Sequence, residues 1–271
     1  MLEFELQTRY GAPMAYLTRE GRRYHYREAG SGLPLVLLHA FPLTGKSFEP
    51  QLAAAPKGVR LLVPDHRGFG QSAPGPFSME AIAADALALL DALEIDQAVI
   101  GGVSMGGYAA MALLRLDASR VKGLVLSDTQ ASADDEEGKK RREATAQEVE
   151  RDGLSAFSKA MAQRLLGPNA SDALRREVES TIRAQEPAAV AAASRALGAR
   201  SDSRELLGRF AGPSMVVVGE QDSVTPPEKA RQMHELLRGS RLVVIEGAGH
   251  LPQLEQPERF NAALWEFCAL L

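Results

Sequence analysis

The sequence predicts an α/β protein with a mostly parallel eight-stranded sheet, helices on both faces and a helical cap inserted past its middle. Three observations carry that expectation. From residue 33 onward, short runs of Val, Ile and Leu alternate with stretches of helical periodicity, the arrangement that folds as a parallel sheet covered by helices. The runs are apolar without alternation, as strands buried on both faces must be. Between Leu126 and Met215 the strand signal stops, and helix-favouring Ala, Arg, Glu and Leu dominate.

In chain order, Ala15–Thr18 and Arg23–Arg27 read as an antiparallel hairpin turning at Glu20-Gly21, placed at one edge of the sheet. Leu35–Leu38 and Arg60–Val63 follow as buried strands. Ser78 can cap a helix whose Met79, Ile82, Ala83, Ala86, Leu87 and Leu90 form an apolar stripe. Ala98–Ile100 is the next strand, and Met105–Leu116 is a helix apolar nearly all round, so other elements must enclose it. Gly123–Leu126, Met215–Val218 and Leu242–Ile245 complete the sheet. The last helix starts near Pro257, a residue suited to a first turn, and buries Phe260, Ala263, Leu264, Phe267, Cys268 and Leu271 on one face.

The chain has 271 residues, more than the roughly 150 of an average domain. Residues 131–211 account for the excess as an inserted cap, leaving 1–130 and 212–271 as one core domain. Within the insertion, Asp134–Asp152 carries 13 charged residues among 19 and reads as a solvated helix. Leu154, Phe157, Met161, Leu165 and Leu166 recur at helical spacing and can face the core.

Composition excludes several classes of function. A net charge of −4 with dispersed Lys and Arg lacks the basic footprint of a nucleic-acid binder. The longest mainly apolar stretch, Leu33–Leu43, falls well short of a membrane span, so no membrane partner is expected. Met1-Leu-Glu-Phe-Glu has no basic segment followed by an apolar run, and the single cysteine, Cys268, suits a reducing cytoplasm. The oligomeric state stays open, a homo-oligomer included.

The chemistry concentrates after the strand Ala98–Ile100. There Gly101-Gly-Val-Ser104-Met-Gly-Gly107 leads straight into an apolar helix, giving strand, G-x-S-x-G, helix. A sharp turn at this place lifts the serine hydroxyl above the carboxyl edge of the sheet, and glycines on either side let strand and helix come close. Ser104 is the candidate nucleophile. A serine hydroxyl is a weak nucleophile until an imidazole takes its proton and a carboxylate orients that imidazole.

With these motifs the chain resembles the α/β-hydrolase family over nearly its whole length. The resemblance implies the α/β-hydrolase fold and the order serine, aspartate, histidine along the chain. Asp222, in Val218-Gly-Glu-Gln-Asp222-Ser-Val-Thr-Pro226, and His250, in Ile245-Glu-Gly-Ala-Gly-His250, match the acid and histidine loops. Asp128, in Leu126-Ser-Asp-Thr, is the alternative acid. His39-Ala-Phe-Pro-Leu43 resembles the oxyanion loop, with alanine where glycine is usual, and implies that the backbone N–H groups of Phe41 and Met105 hold the developing oxyanion. His39 and His66 then brace loops, His25 is structural in an edge strand, and His234 is solvated.

A serine at the elbow separates this chain from relatives that use aspartate there. No cluster has zinc-ligand spacing, and Gly101–Gly107 lacks the Lys-Ser/Thr ending of a nucleotide loop, so neither metal nor other cofactor is expected. The expected function is hydrolysis of small carboxylic esters by Ser104, His250 and Asp222 through an acyl-enzyme. The alternatives are a 3-oxoadipate enol-lactonase-type lactonase, a cofactor-free perhydrolase or haloperoxidase-like enzyme, and a ligand receptor with an idle triad. Phe41, Phe157, Met161, Val224 and Leu251 are candidate pocket residues. A lactonase for a carboxylate-bearing substrate needs a cation in the pocket, for which Arg164, Arg183, Arg195 and Arg204 are candidates.

Overall fold

The structure, a computed structural model, describes residues 3–7, 14–19 and 21–271. Nine strands form one sheet: β1 (Glu3–Gln7), β2 (Met14–Arg19), β3 (Arg22–Gly30), β4 (Gly32–Leu38), β5 (Gly58–Pro64), β6 (Ala98–Val103), β7 (Val121–Ser127), β8 (Ser214–Gly219) and β9 (Arg241–Ile245). Their order is β1-β2-β3-β5-β4-β6-β7-β8-β9. All eight expected strands are present, and β1 adds a ninth by pairing antiparallel with β2, Phe4 opposite Leu17. The hairpin β2–β3 therefore lies one strand in from the edge. Glu20 of its turn is outside the described residues.

From β4 to β9 every pairing is parallel, and β3 joins this block antiparallel through β5. The chain runs from β4 outward to β5 and then returns to β6 on the other side of β4. Loops leaving β4 and β6 consequently diverge at their carboxyl ends, which opens a crevice at the point where ligands bind in sheets of this type.

Among the described residues eleven α-helices accompany the sheet: α1 (Glu49–Ala53), α2 (Met79–Ala92), α3 (Met105–Leu116), α4 (Glu136–Asp152), α5 (Ser155–Leu165), α6 (Asp172–Arg183), α7 (Pro187–Ala199), α8 (Arg204–Arg209), α9 (Pro227–Leu236), α10 (Pro252–Glu255) and α11 (Pro257–Cys268). The Ser78 hydroxyl accepts from the Ala81 N–H and caps α2, as its position predicts. Helix α3 buries all of Met105–Leu114 against β4, β6, β7 and α2. Cys268 is a core residue of α11, its thiol pushed up to about 12 by burial. Among the described residues no helix is long and apolar enough to cross a membrane.

The five helices α4 to α8 all lie between β7 and β8. Helix α4 packs on α7, and α5 on α6. Two kinds of ionic contact hold this insertion, and they differ in weight. Arg200 is buried beneath it, 2.7 Å from Asp134, with further bonds to the carbonyls of Leu197 and Ser132 and its guanidinium over the Tyr108 ring. Arg195 instead pairs with Glu143 and Glu150 at the surface, where water competes for every contact. Removing Arg200 leaves Asp134 with Arg142 alone and takes the donor from two carbonyls, an effect of roughly 3 kcal/mol for a buried group. Urea denaturation should show Arg200→Ala destabilised by about that amount and Arg195→Ala not measurably changed; equal losses would contradict this division.

Candidate active site

Ser104 occupies the turn from β6 into α3 with φ of 55° and ψ of −113°, left-handed backbone that few side chains other than glycine adopt. Its surroundings enforce that geometry. A Cβ on Gly106 would lie 1.9 Å from the Leu38 carbonyl oxygen, and one on Gly102 would lie 2.1 Å from the Gly106 carbonyl carbon. Glycine at both positions lets the helix N-terminus settle directly onto the ends of β4 and β6. The Ser104 N–H donates to the Ser127 carbonyl and the Thr129 hydroxyl donates to the Ser104 carbonyl, so β7 holds the turn from the far side.

His250 and Asp222 meet above the neighbouring strands. The His250 ring places Nδ1 2.8 Å from Asp222 Oδ2, and both side chains are almost wholly buried. Three more donors converge on the carboxylate: the N–H groups of Val224 and Thr225 on Oδ1 and the Thr225 hydroxyl on Oδ2. Burial alone would raise Asp222, but the adjoining His250 and the Thr225 bonds outweigh it and keep the carboxyl below its ordinary range. The other ring nitrogen of His250, Nε2, has no hydrogen-bond partner among the described residues. Ser104 and His250 line one cavity of about 260 Å³.

The loop of His250 is tied to the insertion. Its N–H donates to the Leu165 carbonyl at the end of α5. Glu255 bridges the same seam, one oxygen accepting from Gly249 and Leu251 and the other from Gly167. Sequence reading misses Glu255 because a glutamate near a helix end has no distinguishing local pattern.

Asp128 stands beside this pair. Its backbone φ is 48°, its Oδ1 accepts from the Gly219 N–H, and the Ser127 hydroxyl donates to its Oδ2. Asp128, Asp222 and His250 bring ligand atoms within 4.8 Å of one another. A cation could bridge such a set, but the hydrogen bonds above already commit these atoms to protein partners. Two buried carboxylates this close cannot both be ionised cheaply. Burial first and the Asp222 charge second raise Asp128 well above the carboxylate range, so the proton resides on Asp128 and the charge on Asp222. The structure therefore pairs Asp222, not Asp128, with the imidazole.

The loop after β4 carries one candidate oxyanion donor, Phe41, and the first residue of α3, Met105, is the other. Among the described residues neither the Phe41 nor the Met105 N–H is engaged in a hydrogen bond, and Phe41 lines the cavity. Beneath the loop, the His39 and His66 rings stack at 3.7 Å. The His66 N–H donates to His39 Nε2, which leaves His39 Nδ1 protonated and donating to the Ala40 carbonyl; His66 Nε2 bonds the His39 carbonyl. Asp65 organises the adjoining turns, accepting from Gly45 and Gln71 and pairing with fully buried His25 at 2.7 Å. His25 thus lies in the third strand of the sheet, not at its edge. His234 is half-buried, with Nδ1 bonded to the Ser240 hydroxyl, instead of solvated.

Helix α4 is exposed over most of its length, as expected, and one row of it, Gly138, Arg141, Arg142 and Thr145, spaced i, i+3, i+4 and i+7, borders the cavity. From α5 come Met161, Arg164 and Leu165. Phe41, Met161 and Val224 line the cavity as expected, whereas Phe157 packs edge-on against Phe41 and Leu251 is buried outside the lining. Of the four arginines expected as pocket cations only Arg164 lies there; Arg183, Arg195 and Arg204 pair with Glu179, Glu143 and Glu150, and Asp202.

Comparison with known proteins bears on the site once this geometry is in view. A family model described as alpha/beta hydrolase fold matches residues 34–257. The chain is 30% identical over 217 residues to 3-oxoadipate enol-lactonase 1 of Acinetobacter baylyi, covering 79% of this chain and 80% of that one. It is 31% identical over 251 residues to a pimeloyl-[acyl-carrier protein] methyl ester esterase of Neisseria meningitidis, covering 85% of this chain and 75% of the other. A thermophilic esterase from Thermogutta terrifontis, solved with malate bound, superposes with a TM-score of 0.89 at 34% identity, covering 99% of this chain and 98% of that one.

Burial lowers His39 to about 4 against the pull of Asp65 and the Ala40 bond, and burial with the neighbouring His39 lowers His66 well below its ordinary range. Unfolded, each histidine takes up a proton near pH 6.5. The unfolded chain therefore binds more protons below that pH, and folding stability falls as pH drops from about 6.5 towards 4. Urea melts across this window should give a slope of up to about 1.4 kcal/mol per pH unit for each of the two rings; a flat profile would show that the rings protonate inside the fold.

Proposed function

The chain belongs to the alpha/beta hydrolase family, and from that membership we propose that it is a serine hydrolase of small carboxylic esters, acting through Ser104, His250 and Asp222. The observation that carries the proposal is a buried imidazole held at Nδ1 by an ionised carboxylate, with Nε2 unpartnered, on a cavity that His250 lines together with the elbow serine and Phe41.

In this reading Ser104 Oγ attacks the ester carbonyl while His250 Nε2 takes its proton. The N–H groups of Phe41 and Met105 hold the oxyanion, each worth about 3 kcal/mol in the transition state. The tetrahedral intermediate collapses, the C–O bond to the alcohol breaks, and His250 returns the proton to the departing alkoxide. Water then repeats the sequence on the acyl-enzyme, releasing the acid and restoring the serine. Asp222 keeps Nδ1 protonated and stabilises the imidazolium, and neutral Asp128 adds no second charge beside it.

A lactone, being a cyclic ester, would follow the same steps with the alcohol kept on the acyl group. The enol-lactonase relative favours this as the second reading. Residues 131–211 are on this proposal the cap that selects the substrate, and a cavity of about 260 Å³, at the small end for ligand pockets, suits a short acyl chain. A cytoplasmic place of action, suggested by the lone buried Cys268, belongs to the proposal.

Hydrolysis of p-nitrophenyl butyrate should fall at least about 10³-fold in Ser104→Ala, which should also lose labelling by a fluorophosphonate. Equal turnover by wild type and variant would end the proposal. Asp222→Asn should lose nearly as much and Asp128→Asn far less, because asparagine is uncharged like the protonated carboxyl it replaces; the reverse order would make Asp128 the acid.

A further inference from the structure

Asp222 fixes the His250 ring at Nδ1, 2.8 Å away, but the point from which the ring projects is set by its own main chain. Residues 246–251 run from β9 to α10 outside any strand ladder or helix, so their amides need partners from elsewhere. Three consecutive amides find them in two groups. The N–H groups of Gly249 and Leu251, one on each side of His250, both donate to Glu255 Oε1, at 3.0 and 3.1 Å. The His250 N–H donates to the Leu165 carbonyl at 2.9 Å. The second oxygen of Glu255 accepts from the Gly167 N–H at 2.7 Å.

A carboxylate in a first helical turn has an ordinary use, which is to accept the N–H of the capping residue. Glu255 goes beyond that use. Helix α10 has four residues and Leu251 at its N-cap, so the Leu251 bond is the one a cap would make. The bonds to Gly249 and Gly167 lie outside the helix and join the histidine loop to the insertion. At that junction the two main chains touch: a Cβ on Gly249 would lie 2.3 Å from the Gly167 nitrogen, and one on Gly167 would lie 2.9 Å from the Gly249 nitrogen. With no side chain between them, a displacement of either chain is felt by the other.

Resting on the esterase reading above, we propose that Glu255 is a positioning residue for the reaction. Through Gly249 and Leu251 it sets the main chain from which His250 projects, and through Gly167 it makes that setting depend on the seat of the insertion. Hydrogen bonds to an ionised acceptor are stronger than neutral ones, and one carboxylate holding both neighbours of His250 restrains the position and the tilt of its backbone. Glu255 is not on the cavity lining and touches no substrate. It acts through His250, whose Nε2 takes the proton from Ser104 and returns it to the departing alkoxide. A misplacement of about 1 Å costs on the order of 10²-fold in such a step.

Glu255→Gln keeps the shape of the side chain and replaces one accepting oxygen by a donor that faces N–H groups. With p-nitrophenyl butyrate it should lower kcat by about 10- to 100-fold and leave KM within about twofold, a split that a loss of folded protein does not produce. Proton NMR gives an arm that needs no turnover. His25 and His250 each hold a carboxylate at Nδ1, at 2.7 and 2.8 Å, and an N–H so bonded resonates far downfield. Loss of one such signal in His250→Gln assigns it. Glu255→Gln should move the His250 signal and leave that of His25 in place. Gly167→Ala, which retains Glu255 and presses a methyl group on the Gly249 nitrogen, should have the same two effects, and it decides the matter alone if Glu255→Gln does not fold. Unchanged kcat, a loss confined to KM, or both histidine signals moving together would overturn the proposal. A His250 signal that moves by itself in a protein hydrolysing no ester would instead keep the positioning role and remove the esterase reading.

Discussion

The candidate site of this molecule depends on how closely α3 approaches the ends of β4 and β6. A Cβ at Gly106 would come within 1.9 Å of the Leu38 carbonyl oxygen, a contact with backbone that no side-chain adjustment relieves. That approach forces Ser104 into left-handed backbone, aims it at the crevice, and leaves the Met105 N–H at the first turn of a helix without an intrahelical acceptor. The switch in strand order between β4 and β6 places the Phe41 loop on the other side of the same crevice. The proposed nucleophile and the two proposed amide donors are thus positioned by main chain alone, at the strain of one residue held by bonds from β7 and the loop after it.

Around that turn lie two buried polar groups with opposite electrostatic logic. Asp65 sits among His25, His39 and the N–H groups of two loops; burial opposes its charge, but these partners win and keep it below the ordinary range. Asp128 has two donors and a second carboxylate as neighbour, so burial and repulsion win and it holds a proton. The difference decides which acid faces the imidazole. Asp222 gathers three donors besides His250, and Asp128 gathers two, so the shared negative charge settles on Asp222.

Much of this was legible in the sequence because the signals were local. Strands buried on both faces read as apolar runs, and Gly-x-Ser-x-Gly between strand and helix is a pattern of spacing and sterics. Strand β1 was not legible, since five residues paired along one edge of the sheet lack such a run. The rank of Asp222 over Asp128 followed from the resemblance of its loop to the family's acid loop, since both aspartates lie between Ser104 and His250, whereas the donors that distinguish them meet only once β7 and β8 lie side by side. Helix α4 is solvated over most of its length as its charge pattern predicts, with only Gly138, Ala146 and Val149 buried, while the positions that also border the cavity carry no local signal that could mark them in advance.

The core and the insertion meet that need for chemistry and selectivity by different means. Around Ser104 the geometry is made of backbone and glycine, and most substitutions there would move atoms that cannot yield. On α4 and α5 the cavity is made of side chains projecting from helices whose packing relies on other faces: Ala146 and Val149 are buried in α4, and Phe157 and Ala162 in α5, none of them on the cavity lining. Exchange of Arg141 or Arg164 therefore leaves the helix seats untouched. The two parts are nevertheless joined where it matters, because the Leu165 carbonyl and Glu255 fasten the end of α5 to the loop that carries His250. On the proposed reaction, an insertion anchored at the loop of His250 can vary its pocket face without moving that loop, so one fixed site can serve many substrates.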